Sequence, residues 1–502
     1  MFTQTGGFGA WQWFLSVSYW FNNKSIMILI LALAYLQKVP KEYFCVYEGS
    51  SDPVSCTPAD FCDNPNVISF EPNYGLEDTY DNWVQRFNLH CAPKSKIGFI
   101  SSAFFAGWVF TLIWVPRVSD LFGRQKVLIA GTLINFLAFT FLLLTESYAV
   151  LIICMTTFGM MATIRVQVGV NYMYESVRRD QYTTLYSIIA MGEGICGLYA
   201  TLHFMFISKS YFGLLMVAYV WLGLAAISAF FYPESPRYLI KSGQVDEAGE
   251  AFNQAASFNK AELVTDERLE QLFGDQRVGK KQQEESEEKA KLLGDDDKDL
   301  EERLDAMTPR TKQVYIKNNV MYFLSQRVIL QNLIALTILW VVSAFNFFLC
   351  NLMIKYIPGN FQNNMLVMTS TDILGSLVAG ILLAYYSPKK LFCSYYLLGG
   401  LAGLCMVFLV DKENPNWTVP MLVGLARIGV SCSFVTIYMT HPSYFPTLFA
   451  VTSMGIANIV TRVIVIFAPL AAELDYPTPM IIFTLLCFVA CTASFFINDE
   501  VR

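Results

Sequence analysis

Histidine is nearly missing from this 502-residue chain: there are three, His90, His203 and His441. No Ser-His-Asp set, no Cys/His spacing of a zinc site and no glycine-rich phosphate loop appears. The sequence therefore predicts no enzyme, no metal and no cofactor. Charge is scarce at 15%, and the balance is acidic at −6, which gives nucleic acid no basis as a partner. The opening, Met1–Ala10, shows neither a cleavable signal pattern nor the Arg-rich run of a mitochondrial presequence. The expectation is a retained first apolar segment, with internal targeting left open.

What is abundant is apolar: 54% of residues, at a mean hydropathy of +0.42. Segments of membrane-spanning length fall at 13–36, 97–118, 127–145, 149–171, 184–207 and 211–233, then at 333–354, 361–385, 391–411, 419–439, 449–472 and 477–497. The prediction is an all-α membrane protein of twelve helices in two six-helix halves. Its parts are an N-terminus and first span (1–36), an extracytoplasmic loop (37–96), spans two to six (97–239), a cytoplasmic linker with amphipathic helices (240–328) and spans seven to twelve (329–502). Short loops carrying Arg117, Arg124, Lys126, Arg178, Arg179, Arg237, Lys241, Lys389 and Lys390 all fall on one side, which is therefore cytoplasmic. Four of the twelve cysteines, Cys45, Cys56, Cys62 and Cys91, share the 37–96 loop. They predict two disulfides of open connectivity on the opposite, oxidising side.

Several spans hold charge: Lys24, Arg165, Glu193, Asp372 and Arg462. Each costs about 2.5–3.5 kcal/mol at the bilayer centre, so they are expected to line a shared polar cavity between two halves that rock. Helical spacing puts Gly455, Asn458 and Arg462 on one stripe, Thr369, Asp372 and Ser376 on another, and Arg165, Gly169 and Tyr172 on a third. Trp340 and Phe347 share a face of span seven. The candidate substrate-binding set is thus Lys24, Arg165, Tyr172, Glu193, Trp340, Phe347, Asp372 and Arg462. Two plain pairings compete with that role: Arg165 with Glu193, and Lys24 with Asp372. The surplus of Lys24, Arg165 and Arg462 over the two carboxylates favours an organic anion or zwitterion as partner.

Local patterns resemble the major facilitator superfamily. R-V-S-D-L-F-G-R-Q-K at 117–126 is similar to its D-x-x-G-R-[RK] loop, and P-E-S-P-R-Y-L-I at 233–240 to its P-E-S-P-R-W-L signature. G-G-F-G-A-W-Q-W at 6–13, N-W-V-Q-R-F-N-L-H-C at 82–91 and S-M-G-I-A-N-I-V-T-R-V-I-V-I-F-A-P at 453–469 resemble the organic cation, anion and carnitine transporters of solute carrier family 22. The resemblance implies cytoplasmic gating by Asp120, Gly123, Arg124, Lys126, Glu234 and Arg237, with Glu234 and Arg237 in ion pairs between helices. It also implies a binding pocket with span-seven aromatics, and Arg462 at a position where anion and carnitine members carry Arg. The second-half gate has eroded to Y-Y-S-P-K-K, and H-P-S-Y-F-P-T at 441–447 stands where the family has an acidic A-E-x-Y-P-T.

The expected function is alternating-access transport of a small organic anion or carnitine-like zwitterion, with a proton or sodium as the candidate coupling ion and the lipid bilayer as surroundings. The alternative is a degenerate transporter fold serving as a structural subunit of a larger membrane assembly. Plasma membrane is the favoured location, and an internal membrane, the mitochondrial inner membrane included, is the other.

Overall fold

The computed structural model describes residues 7–49, 52–178, 181–265, 267–271, 273, 324–410, 416–445 and 447–498. Most of the acidic linker, including its Asp-rich run, lies outside the described residues. Each predicted apolar segment falls on a helix. Spans one to six are Ala10–Leu31, Lys94–Leu112, Arg124–Leu144, Tyr148–Glu175, Tyr182–Leu202 and Tyr211–Ala229. Spans seven to twelve are Arg327–Met353, Phe361–Tyr385, Pro388–Leu409, Thr418–Thr440, Thr447–Val465 and Thr478–Ser494. Among the described residues, nine are long and apolar enough to cross a membrane; the apolar stretches of spans five and twelve are shorter, Met191–Ile207 and Thr478–Ser494. Span one carries Asn22, Asn23 and Lys24, all buried, which lowers its hydropathy at mid-length.

Lipid gives no hydrophobic drive for helix association, so close backbone approach has to supply the contact energy. Spans two and four meet where Gly107 faces the Thr156 carbonyl and Gly159 faces the Phe104 carbonyl. A side chain at either glycine would push the helices apart. On the cytoplasmic side a short helix, Val115–Phe122, ends at Gly123, whose φ of 96° starts span three in a backbone conformation that L residues seldom adopt.

The 37–96 loop is too small to hold an apolar core without help. It forms a three-stranded antiparallel sheet in the order β2 (Val54–Cys56), β1 (Tyr43–Tyr47), β3 (Val67–Pro72). Cys45–Cys56 ties β1 to β2, and Cys62–Cys91 ties the loop to the entrance of span two. Phe61 stacks on Phe70 at 4.2 Å, with Tyr43 edge-on to both. Asn82 fixes this domain to span one by donating to the carbonyls of Tyr35 and Lys38, both at 2.8 Å.

The two halves are bonded to each other at the end that carries the 37–96 loop. Lys94 reaches Asp475 at 2.5 Å, Ser102 donates to the Ile466 carbonyl at 2.9 Å, and Asn351 donates to the Ile30 carbonyl at 3.4 Å. Lys355, paired with Glu473 at 2.6 Å, also donates to the Gln37 carbonyl. Tyr35, Phe204, Tyr80 and Phe361 make an aromatic plug beside them, with Tyr35 stacked on Phe204 at 4.4 Å and edge-on to Phe361 at 4.9 Å. The molecule is therefore sealed at the end that carries the disulfide-bonded loop.

Candidate functional site

Span one turns Lys24 inward, where it is fully buried and its Nζ lies 3.8 Å from Glu193 Oε1 on span five. That is an ion pair without a hydrogen bond: among the described residues the ammonium has no bonded partner. Gly192 makes room for it, since a Cβ there would stand 2.7 Å from Lys24 Cε. Glu193 keeps 31% of its side chain exposed, in contrast to Lys24.

Arg462 comes from span eleven and the other half. Its guanidinium lies 3.7 Å above the Trp108 ring of span two, and Nε contacts Asn458 Oδ1 at 3.3 Å. Face-on packing of a guanidinium on indole is favourable in a desolvated site. Glu193 and Tyr438 lie within electrostatic range of Arg462. Trp340 packs edge-on to Tyr438 at 4.9 Å, Tyr438 contacts Phe434 at 5.2 Å, and Phe434 stacks on Phe347 at 5.7 Å. This continuous aromatic wall runs from Arg462 to a second arginine, Arg427. In this sealed state Trp340 and Arg462 are both buried.

Arg427 of span ten grips Asp372 through two parallel bonds, Nε–Oδ1 at 2.7 Å and Nη2–Oδ2 at 2.8 Å. Ser431 donates to Asp372 Oδ1 at 2.5 Å, Arg427 Nη1 donates to the Phe347 carbonyl, and the guanidinium lies 3.7 Å over the Phe347 ring. Fork-to-fork bonding of this kind is the strong form of the Arg–carboxylate pair. It decides against the competing Lys24–Asp372 pairing: Asp372 belongs to Arg427, and Lys24 faces Glu193 instead. The sequence reading passed over Arg427, although the signal was the same as elsewhere, a charge near the middle of an apolar run.

Arg165 does not pair with Glu193 either. It sits in a π-helical turn, Ile164–Val168, and is buried with Nε and Nη1 unbonded. The turn loosens the helical ladder, and the Tyr19 hydroxyl takes up the Arg165 carbonyl at 3.0 Å. The same turn adds a residue to the repeat, so Arg165, Gly169 and Tyr172 do not hold the spacing of an α-helix. Tyr172 is carried away from the cluster to the cytoplasmic end. There its hydroxyl donates to the Pro233 carbonyl at 2.8 Å and its ring stacks on Tyr232.

The cytoplasmic motifs meet one another. Arg124 Nη2 lies 2.8 Å from Asp120, and its Nε lies 3.2 Å from Glu175 at the end of span four, a partner the sequence reading missed. Glu234 was expected in an ion pair between helices. Its carboxylate instead caps span three, accepting from the backbone N–H of Arg124 at 2.9 Å and of Gln125 at 3.2 Å. The reason is electrostatic: the first N–H groups of a helix are unsatisfied and carry partial positive charge. Arg237 donates to the Val177 carbonyl at 3.0 Å, and Lys126 is exposed. Gly123 has no space for a Cβ against Glu234.

Among the described residues no group of His, Cys, Asp and Glu could hold a metal ion. Comparison with known proteins places this geometry. The chain is 24% identical over 426 residues to the organic cation transporter-like protein of Drosophila melanogaster, covering 81% of this chain and 68% of that protein. It is 23% identical to the human organic cation/carnitine transporter 2, covering 77% of this chain and 63% of that protein. It is 22% identical to the mouse organic anion transporter 3, covering 84% and 73%. The fold is similar to the inward open conformation of the xylose transporter XylE from E. coli, at a TM-score of 0.60 and 11% identity, covering 98% of this chain and 95% of that one. The sequence profile of the Major Facilitator Superfamily matches residues 13–469, and this chain, an integral multi-pass membrane protein, belongs to that family.

Proposed function

We propose that the protein carries a small organic anion or a carnitine-like zwitterion across the membrane by alternating access, with Arg462 receiving the carboxylate. The observation that supports this reading most is the setting of Arg462. It is a buried guanidinium at the junction of the halves, held by the Trp108 ring face, a long contact to Asn458 and the neighbouring Tyr438 hydroxyl, with no carboxylate in ion-pair contact among the described residues. A planar fork left without a carboxylate partner suits a carboxylate ligand. The Trp340, Tyr438, Phe434 and Phe347 wall offers apolar surface to the remainder of the solute. The two disulfides support residence in the plasma membrane, with their loop outside. A proton or sodium is the coupling ion to test.

A structural-subunit reading draws on the burial of both Arg462 and Trp340 and on the eroded second-half gate. One experiment separates the two: uptake of labelled anions, zwitterions and cations into proteoliposomes, comparing the native protein with Arg462→Ala. Uptake of a carboxylate that Arg462→Ala abolishes is the expected result. Cation uptake indifferent to Arg462 overturns the substrate class, and no uptake by folded protein favours the structural subunit.

A further inference from the structure

We infer that Glu193 is a built-in stand-in for the substrate's carboxylate, the group that offsets positive charge in the site while the carrier is empty and so lets it return without a solute. The inference rests on the anion reading above. Its basis is how charge is shared between the halves. Lys24 and Glu193 ride on spans one and five, Arg462 on span eleven across the interface. Glu193 is in ion-pair range of Lys24 at 3.8 Å, and it is within electrostatic range of Arg462 and Tyr438. Tyr19 on span one and Cys196 on span five are further titratable groups that feel it.

Its packing suits a group that changes partner. Lys24 makes no hydrogen bond to it, and nearly a third of its side chain is exposed, whereas Asp372 is locked by Arg427 and Ser431. Asp372 therefore cannot serve the same purpose without breaking a closed network. The backbone under Glu193 is fixed at the interface as well: a Cβ at Gly194 would stand 2.9 Å from the Ile373 nitrogen of span eight. The carboxylate is thus carried on a firm support at the contact of the two halves.

The physical consequence follows from Coulomb's law in a poorly polarisable medium. With a solute bound, its carboxylate neutralises Arg462 and Glu193 is left to Lys24. With no solute, Arg462 and Lys24 would face each other's field across a closing interface, at a cost that rises as water leaves. Glu193 offsets one of the two cations and so lowers that cost. The empty carrier then closes with one net positive charge among these three groups instead of two, and it can rock without a solute. Without the carboxylate, return is efficient only with a solute aboard, and a carrier capable of net transport becomes an exchanger.

The test uses full-length protein in proteoliposomes with labelled benzoate and L-carnitine as probes. Net efflux into solute-free buffer is compared with counterflow against unlabelled solute. Glu193→Gln is expected to raise the ratio of counterflow to net efflux at least about tenfold, and Glu193→Asp to bring it part of the way back. Thermal unfolding and size-exclusion profiles check that each variant is folded. An equal fall in both modes in folded protein would mean that Glu193 only packs the helices, and an unchanged ratio would overturn the inference outright. Failure of the underlying reading has a different signature. Native protein that carries neither probe in either mode refutes the anion reading before any variant is made, and the inference falls with it.

Discussion

Arg427 and Asp372 form a buried, two-bond ion pair inside the second half, and its energetics differ from those of an exposed pair. Removing one partner strands the other charge out of water. Arg427→Met alone is expected to cost about 3–5 kcal/mol, read as a large drop in thermal unfolding temperature in detergent. The double variant Asp372→Asn with Arg427→Met should regain much of that, because the stranded carboxylate is gone; a double variant no more stable than the single one would contradict the assignment. Lys38, at the outer rim of span one, shows a pH effect. It lies 2.8 Å from Asp78 and 4.0 Å over the Phe361 ring, and burial pushes its ammonium down to about 8 despite Asp78. Between about pH 8 and the ordinary lysine value the unfolded chain binds more protons than the folded one, so stability contributed at this group rises with pH through that window. Lys38→Met should flatten that rise in a melting-temperature series from pH 7 to 10; an unaltered slope would refute it. Charges in apolar runs were legible one at a time in the sequence. Which carboxylate meets which cation was not, because Lys24–Glu193 and Arg427–Asp372 are both contacts between different spans.

Helix ends and turns were the most readable elements, since their chemistry is local. Asp120, Gly123 and Arg124 stand within five positions of each other, and Arg124 meets Asp120 at 2.8 Å. Glu234 lies 110 residues from Arg124, and its resemblance-based role as an ion-pair partner gave way to capping of span three. Glu234→Ala is accordingly expected to cost about 1 kcal/mol through loss of that cap, measured as a lower unfolding temperature. Glu234→Gln should retain part of the stability, since an amide oxygen still accepts from N–H groups. If both substitutions were neutral, the cap would be irrelevant to folding. Span four shows the limit of periodicity. A single π turn at Ile164–Val168 separated Arg165 from Tyr172, and nothing in I-R-V-Q-V announces it. The same turn leaves Arg165 buried with unbonded nitrogens, near Tyr19 rather than Glu193.

At the level of the complete chain, the apolar segments and the cytoplasmic-loop signatures were enough to give the architecture. The state of the molecule was not legible. Lys94–Asp475, Ser102–Ile466, Asn351–Ile30 and the Lys355–Glu473 group join residues more than a hundred positions apart, and they close the end that carries the disulfide-bonded loop. Outward opening has to break these bonds and separate Phe361 from Tyr35. The extracytoplasmic domain takes part, because Gln362 of span eight donates to the Glu77 carbonyl and to the Tyr80 hydroxyl. Alternating access through the interface of the halves is the central claim, and one measurement addresses it most directly. Lys94→Cys with Asp475→Cys, joined by a short bis-maleimide in proteoliposomes, should abolish uptake of a labelled carboxylate that the native protein takes up, while the native protein and each single substitution treated alike stay active. Uptake that persists through a completed cross-link, or a native protein that takes up no solute, would contradict a carrier that rocks about this site.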